Sequence, residues 1–150
     1  PGDVKDTGGN IRRTGQFVVN LVSNRLAEQM NITAIDFGKG VNELAEAGLT
    51  TVASSRVKPP RIAESPVSFE CERLVIVEVC VDRAVILGTV VAIHVADEFV
   101  LDADKCYIDT PKLDLVGRMH GRGWYARTTD RFDMPRIDVA DWPRRAKAAE

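Results

Sequence analysis

The sequence predicts a mainly β, α+β domain in which antiparallel strands form a small barrel with short inserted helices. Its longest β-rich region consists of two adjoining segments, residues 67–81 and 83–95, both rich in valine and isoleucine. Only Asp82 separates them, and such spacing is typical of a long antiparallel hairpin. The predicted helices are short and do not alternate with strands in a βαβ order, so a parallel sheet is not expected.

The N-terminal region predicts a helix followed by a buried strand. Asp3 is suited to cap the helix, and Gly15 is expected to end it. Gly8 and Gly9 each weaken such a helix by about 1 kcal/mol relative to alanine, so tertiary contacts or a ligand must hold it. Residues 16–23 follow with a composition that favours a buried strand.

Short elements are predicted between this strand and the hairpin. Asn24 is expected to cap a short helix that ends at Met30. A second helix is predicted at residues 41–47, with Gly48 in the position after its C-terminus. Residues 51–57 are compatible with a short strand.

The hairpin and the C-terminal region carry three further expectations. Gly88 lies inside an apolar run, which indicates a bulge or a close approach of another group to the backbone. Residues 113–119 are compatible with a helix or with a strand. From Pro135 onward the chain is predicted to be a polar tail.

Composition and charge are ordinary for a single soluble domain. The 150 residues are 45% hydrophobic and 28% charged, with a net charge of −2. No overall field attracts nucleic acid or an anionic membrane, and neither is expected as a partner. Residues 118–136 are an exception, because five arginines meet only two aspartates there. This excess would suit either a phosphate-bearing ligand or a solvated loop.

The cysteines and the familiar catalytic motifs exclude several classes of protein. Three cysteines without a CxxC pair argue against a disulfide framework and against a zinc site, and a cytoplasmic location is expected. The sequence lacks the G-x-S-x-G, GxGxxG and Walker A patterns. No apolar run approaches the roughly 20 residues that span a membrane.

A set of short strings near the N-terminus carries a resemblance. Lys5-Asp6-Thr7 is followed by Asn10-Ile11, Thr14-Gly15 and Phe17-Val18-Val19-Asn20. In this order and spacing they are similar to the signature of flavin reductase-like proteins, which bind FMN in a split β-barrel. Weaker matches continue to residue 136 and include residues 26–27, 30–31, 40–41, 47–50, 60–66, 70–71, 88, 90, 94, 125 and 127.

The resemblance implies an FMN-binding split β-barrel over residues 1–136, followed by a polar tail at residues 137–150. It also implies a homodimer, in which pairing would cover exposed strand edges. Family members carry further strands before the Lys-Asp-Thr string, which supply part of the flavin pocket, so we expect this domain to be N-terminally incomplete. Gly8-Gly9 also departs from the apolar residue that is common there, which should loosen the helix.

Lys5 and Thr7 are the candidate ligands of the FMN phosphate. They lie in the first turn of the predicted helix, where free N–H groups favour an anion. An ordinary capped surface helix with a solvated lysine is the alternative. Asn20 interrupts an apolar strand, and its side chain would bond either the flavin or a neighbouring loop.

His94 is the candidate catalytic residue, because it is a titratable group in an almost wholly apolar strand. The resemblance implies a position near flavin and nicotinamide. A buried histidine bonded to the backbone is the alternative. Tyr125 and Arg127 are further cofactor-binding candidates: the resemblance implies that Tyr125 packs on the flavin and that Arg127 meets a phosphate. An exposed loop would explain them equally well. No metal ligands are expected.

Together these features predict an NAD(P)H-dependent flavin reductase that transfers hydride to bound FMN, with FAD as the other candidate cofactor and NADH or NADPH as co-substrate. Two alternatives stay open. One is a non-catalytic module that binds flavin or haem, or a flavin carrier that serves a partner oxygenase. The other is a structural dimer without a cofactor.

Overall fold

The computed structural model describes residues 6–38, 40–80 and 83–142. Asp3, Lys5 and Asp82, to which the sequence assigned a cap, a phosphate contact and a turn, lie outside these ranges. The described part of the chain is built mostly of antiparallel strands with short helices between them. In chain order these elements are α1 Asp6–Thr14, β1 Gln16–Asn20, α2 Ala27–Ile32, α3 Glu43–Glu46, β2 Thr51–Val52, β3 Arg61–Ile62, β4 Val67–Cys80, β5 Arg83–Val95, β6 Val100–Asp102, β7 Tyr107–Ile108, β8 Val116–Arg118 and β9 Tyr125–Arg127.

A three-stranded antiparallel sheet in the order β1-β4-β5 is the centre of the fold. Two-stranded sheets form from β2 and β3, from β6 and β7, and from β8 and β9. The predicted hairpin is confirmed, because β4 and β5 pair along almost their whole length. None of the described helices is both long enough and apolar enough to cross a lipid bilayer.

The first predicted strand is shorter than expected because the chain changes partner. The ladder with β4 ends at Asn20, and Ser23 forms an isolated bridge with Leu115. Val22 accepts a backbone hydrogen bond from Val116, the first residue of β8. The segment predicted as one strand therefore leaves the central sheet and contacts the C-terminal hairpin.

Three glycines confirm their predicted roles. Gly15 and Gly48 have φ angles of 70° and 67°, a conformation that glycine adopts at low cost after a helix end. At Gly88 a Cβ atom would lie only 2.5 Å from Cζ of Phe17. The aromatic ring of β1 thus packs directly on the glycine backbone of β5.

Two cap and boundary predictions are wrong. Asn24 does not cap the helix that was predicted at 24–30: it opens a 3₁₀ turn, Asn24–Leu26, and α2 continues to Ile32. The helix predicted at 41–47 spans only Glu43–Glu46, because the Asn42 side chain accepts hydrogen bonds from the N–H groups of Leu44 and Ala45 and begins the helix there.

The segments 51–57 and 113–119 were each compatible with a strand, and the structure contains a short strand in both. The strand predicted at 51–57 ends at Val52, because the N–H groups of residues 55–57 bond a carboxylate instead of a neighbouring strand. Within the segment 113–119, which was compatible with either element, Val116–Arg118 is a strand paired with β9. Residues 128–142 are exposed along their whole length.

The apolar core lies beneath one end of the hairpin. Val67, Phe99 and Leu113 are buried together, and neighbouring apolar residues pack against them: Leu21, Phe69, Val95, Ile108 and Leu115. This cluster buries the start of β4 and the end of β5. The opposite end of the hairpin projects away from it, with Leu74 71% exposed and Val79 64% exposed.

Candidate functional site

A row of polar side chains crosses the central sheet just above the core. Asn20 of β1 is paired with Ser68 of β4, and Ser68 is paired with His94 of β5. Residues directly opposite each other in an antiparallel ladder project from the same face. The sheet register therefore places two of the predicted site residues, Asn20 and His94, on either side of one buried serine.

The orientation of the Asn20 amide follows from its partners. Its Oδ1 accepts hydrogen bonds from the Ile62 N–H at 3.0 Å and from the Ser68 hydroxyl at 2.9 Å. A backbone N–H can only donate, so the atom that faces it must be the carbonyl oxygen. The Asn20 Nδ2 is the donor that remains, and it bonds no other group in the described part of the chain.

Glu70 is the most completely buried charged residue in the described structure, with no exposed surface. Its Oε1 accepts from the Ser55 N–H at 2.7 Å, the Ser55 hydroxyl at 3.1 Å and His94 Nε2 at 2.5 Å. Its Oε2 accepts from the N–H groups of Arg56 at 2.6 Å and Val57 at 3.1 Å. The carboxylate thus holds the loop after β2 against the sheet.

These hydrogen bonds decide the charge of Glu70. Burial by itself would raise the pKa of the carboxyl group, but the N–H groups of Ser55 and Arg56, His94 and the Ser55 hydroxyl outweigh it and lower the pKa to about 2. Glu70 is therefore ionised at neutral pH.

His94 lies between Glu70 and a cavity of about 550 Å³. Its side chain is 27% exposed, and Arg61, Ser65 and Ser68 also line the cavity. The Nε of Arg61 is buried without a hydrogen-bond partner among the described residues, and it lies 4.0 Å from Glu70 Oε1. An unpaired buried donor in a cavity wall suits a ligand that carries an acceptor.

Thr7 lies in the first turn of α1 and lines a second cavity of about 340 Å³ that also contains Asn20. Arg13 contributes a cationic part of its wall, and Pro59 and Pro60 contribute an apolar part. The Thr7 hydroxyl bonds no other described residue. The structure therefore places Thr7 and Asn20, two of the candidate cofactor-binding residues, in the wall of one cavity.

A third cavity, of about 830 Å³, lies on the other side of Thr7. Its lining includes the carboxylates of Asp6, Asp36 and Glu43. Three acidic groups oppose the binding of an anion, so the cavity shared by Thr7 and Asn20 suits a phosphate better.

Tyr125 and Arg127 lie in β9, apart from the residues above. Arg118 donates to the Tyr125 hydroxyl at 3.0 Å and stacks on its ring, with 5.0 Å between the guanidinium carbon and the ring centre. Arg127 makes a two-point contact with Asp114, at 3.0 and 2.6 Å. The hydrogen bonds that Arg127 donates to Asp114, together with the negative charge of that carboxylate, raise the pKa of Arg127. Neither residue lines a cavity that contains Thr7, Asn20 or His94.

Sequence reasoning did not assign roles to Ser68, Glu70 and Arg61. A signal was available at the start of β4, where Ser68, Glu70 and Glu72 alternate with apolar residues, Val67, Phe69 and Cys71. Polar residues at a spacing of two share one face of a strand. That face carries His94 on the neighbouring strand.

Comparisons with known proteins agree on one family. The family described as flavin reductase like domain matches residues 2–111. An uncharacterized protein of Deinococcus radiodurans is 40% identical over 149 residues, which cover 99% of this chain and 65% of that protein. The chain thus spans about two thirds of the length of this relative.

Solved structures agree on the fold. The 2-nitrobenzoate 2-nitroreductase NbaA of Pseudomonas fluorescens matches with a TM-score of 0.82 and 32% identity, over 90% of this chain and 66% of that one. The nitrilotriacetate monooxygenase component B of Bacillus cereus has a TM-score of 0.77 and 26% identity, over 89% of this chain and 66% of that one. A split barrel domain of Shewanella frigidimarina has a TM-score of 0.75 at 24% identity, over 87% of this chain and 65% of that one. The predicted split-barrel fold is confirmed.

Proposed function

Because the chain belongs to the flavin reductase like family, we propose that it is the FMN-binding domain of an oxidoreductase that uses NADH or NADPH to reduce the flavin. FAD is the other candidate cofactor. The observation that carries this proposal is the polar row of Asn20, Ser68 and His94, which lies between one cavity that contains Thr7 and another that contains Arg61.

The cavity shared by Thr7 and Asn20 suits FMN in its chemistry. The Thr7 hydroxyl and Asn20 Nδ2 are donors without partners in the described structure, and FMN presents acceptor oxygens on its phosphate and on its ring. Arg13 contributes positive charge, while Pro59 and Pro60 supply apolar surface for a flat ring. The volume of about 340 Å³ is within the range of roughly 300 to 1,000 Å³ that is usual for ligand pockets.

Each predicted residue then has a role that can be tested. Thr7, together with Lys5, would bind the phosphate, and Asn20 would donate to the ring edge. When bound, a flavin supplies the redox chemistry of the reaction. His94 and Arg61 line the neighbouring cavity, where the nicotinamide co-substrate would be oriented and shielded from water.

The assignment of Tyr125 and Arg127 to the flavin stays a prediction. Each already has a partner in this structure, Arg118 for Tyr125 and Asp114 for Arg127. A contact between Arg127 and phosphate would require the guanidinium to exchange one anionic partner for another. Such an exchange is feasible because the Asp114 pair lies near the surface, where an ion pair contributes little to stability.

We also propose a cytoplasmic homodimer. Val75 is opposite Leu87 and Val77 is opposite Val85, so these four residues form one apolar face of the hairpin, and all four are exposed. We call this group the distal apolar face. A second copy of the chain would remove that surface from water.

A flavin carrier that serves a partner oxygenase is the second candidate function. The similarity to a protein named as a monooxygenase component favours it. A carrier would bind flavin tightly without oxidising NADH or NADPH, whereas a reductase would turn the nucleotide over.

The deciding experiment is a titration of FMN into the protein, expressed with any further residues that its gene encodes, followed by flavin fluorescence and NADH absorbance. We expect saturable binding and NADH oxidation. Thr7→Ala should weaken FMN binding by about tenfold or more, the value of one hydrogen bond to a charged group. Thr129→Ala, at an exposed threonine that does not line the cavities containing Thr7, Asn20 or His94, is the matched control. Absence of FMN binding to the wild-type protein would end the proposal.

A further inference from the structure

We infer that Glu70 is the positioning residue of His94: its carboxylate holds the imidazole in the tautomer that carries hydrogen on Nε2 and leaves Nδ1 to meet a ligand. The role of the ring in hydride transfer rests on the proposed function. The tautomer itself rests only on the contacts of Glu70.

The chemistry of the Glu70 carboxylate decides which ring nitrogen carries the hydrogen. A carboxylate can only accept hydrogen bonds. Glu70 is ionised, since its hydrogen bonds lower the pKa to about 2. His94 Nε2 lies 2.5 Å from Oε1, so this nitrogen must carry the hydrogen of the bond. A neutral ring then has its lone pair on Nδ1.

Glu70 cannot easily move to accommodate the other tautomer of His94. The N–H groups of Ser55, Arg56 and Val57, together with the Ser55 hydroxyl, occupy the remaining acceptor positions of the carboxylate. Rotation of Glu70 would leave several buried donors unpaired, which is costly. The loop at residues 55–57 therefore fixes the carboxylate, and the carboxylate fixes the ring.

The sheet register places His94 beside Glu70 and at the wall of a cavity. Glu70 is opposite Ala92, and His94 is opposite Ser68, so Glu70 and His94 are diagonal neighbours on one face. The ring is partly exposed and lines the cavity of about 550 Å³. Arg61, which lies 4.0 Å from the same carboxylate oxygen, is a charged residue that also lines that cavity. A ligand there would meet a guanidinium donor and an oriented imidazole.

The test is nitrogen NMR of the imidazole with long-range proton–nitrogen correlations. The sequence contains two histidines, so His120→Gln identifies the signals of His94. At a pH where the ring is neutral, Nε2 should show the shift of a protonated nitrogen and Nδ1 that of an unprotonated one. A ring protonated on Nδ1, or an averaged mixture of tautomers, would overturn the inference.

Variants separate positioning from general stability. Glu70→Leu removes both acceptor oxygens, so it should shift both ring nitrogens toward the averaged values of a free histidine, and Glu70→Asp should retain part of the wild-type preference. Glu72→Leu, at an exposed glutamate two positions along the same strand, should leave the spectrum unchanged. Unchanged nitrogen shifts in folded Glu70→Leu would also contradict the inference. If that variant does not fold, the wild-type spectrum still decides.

The outcome is distinguishable from failure of the proposed function. A fixed Nε2–H tautomer in a protein that does not bind FMN would support the positioning role and reject the flavin proposal. Saturable FMN binding with a mixed tautomer in the wild type would do the reverse.

Discussion

The two ends of the β4–β5 hairpin differ in a way that divides the molecule into a site and a surface. At the end near the core, Ser68 and Glu70 are buried and His94 is partly buried, and all three make specific hydrogen bonds. At the other end, the apolar side chains of residues 74–79 and 85–87 are largely exposed. One continuous pair of strands thus buries a charge at one end and exposes valines at the other.

This contrast shows that burial along a strand depends on neighbours more than on side-chain polarity. Glu70 is buried because the loop at residues 55–57 supplies enough donors to replace water. The valines of the distal apolar face are exposed because no other described element packs on them. The end of the hairpin near the core can therefore be tested by removing Glu70, the acceptor of the buried hydrogen bonds. The opposite end can be tested by a substitution that prevents another chain from packing on the distal apolar face.

The largest effect is expected for Glu70→Ala. The change leaves the N–H groups of residues 55–57 and His94 Nε2 without their acceptor, which should lower the free energy of unfolding by about 3 to 5 kcal/mol. Urea unfolding followed by circular dichroism measures it. Glu72→Ala, on the exposed part of the same strand, should change the value by less than about 0.5 kcal/mol. Equal losses for both variants would show that the near end is not a specific network.

A smaller effect is expected from protonating Glu70 without removing it. The pKa of Glu70 in the folded protein is about 2, below its ordinary value of 4.5, so its contribution to stability is complete above pH 4.5. That contribution is lost as the pH falls from 4.5 toward 2. Unfolding free energies measured across this window should decline more steeply for the wild type than for Glu70→Gln, which has no carboxyl group there. Parallel curves would refute the low pKa.

A smaller loss of stability is expected for Gly88→Ala, in the middle of the β4–β5 hairpin, where the glycine contacts the ring of Phe17. A Cβ at position 88 would lie 2.5 Å from one ring carbon of Phe17 and 2.8 Å from another, so Gly88→Ala forces the ring to move. We expect a loss of about 1 to 3 kcal/mol in thermal or urea unfolding, as for an overpacked core. Gly117→Ala, where a Cβ meets no atom within 4 Å, should be neutral or slightly stabilising. A neutral Gly88→Ala would mean that the ring is free to move away.

The smallest effect on stability, with the largest effect on association, is expected at the distal apolar face. Val77→Lys places a charge on an exposed position, so the unfolding free energy of the isolated chain should change by less than about 0.5 kcal/mol. Analytical ultracentrifugation over a range of concentrations should show weaker dimerisation than in the wild type. Leu101→Lys, on an exposed residue of β6, is the control. A wild-type protein that stays monomeric would reject a self-association role for this face.

The sequence by itself determined the features that depend on nearby residues. Strand β4 begins at Val67 and β5 spans Arg83–Val95, as the sequence predicted. Long runs of β-branched residues favour an extended backbone, and this local preference is sufficient to locate both strands. Gly15 and Gly48 end their helices because glycine adopts a positive φ at low cost. The strings around residues 5–20 were sufficient to indicate the family.

Tertiary structure alone decided how the candidate site is assembled. The strand predicted at 51–57 stops at Val52, and Glu70 becomes the anchor of the loop, because Ser55, Glu70 and His94 meet only after folding. Local propensity describes each segment separately. It cannot predict that Ser55 bonds the carboxylate of Glu70, which lies fifteen residues further along the chain. A buried charge is stable only where distant donors converge on it, and that convergence is a property of the folded chain.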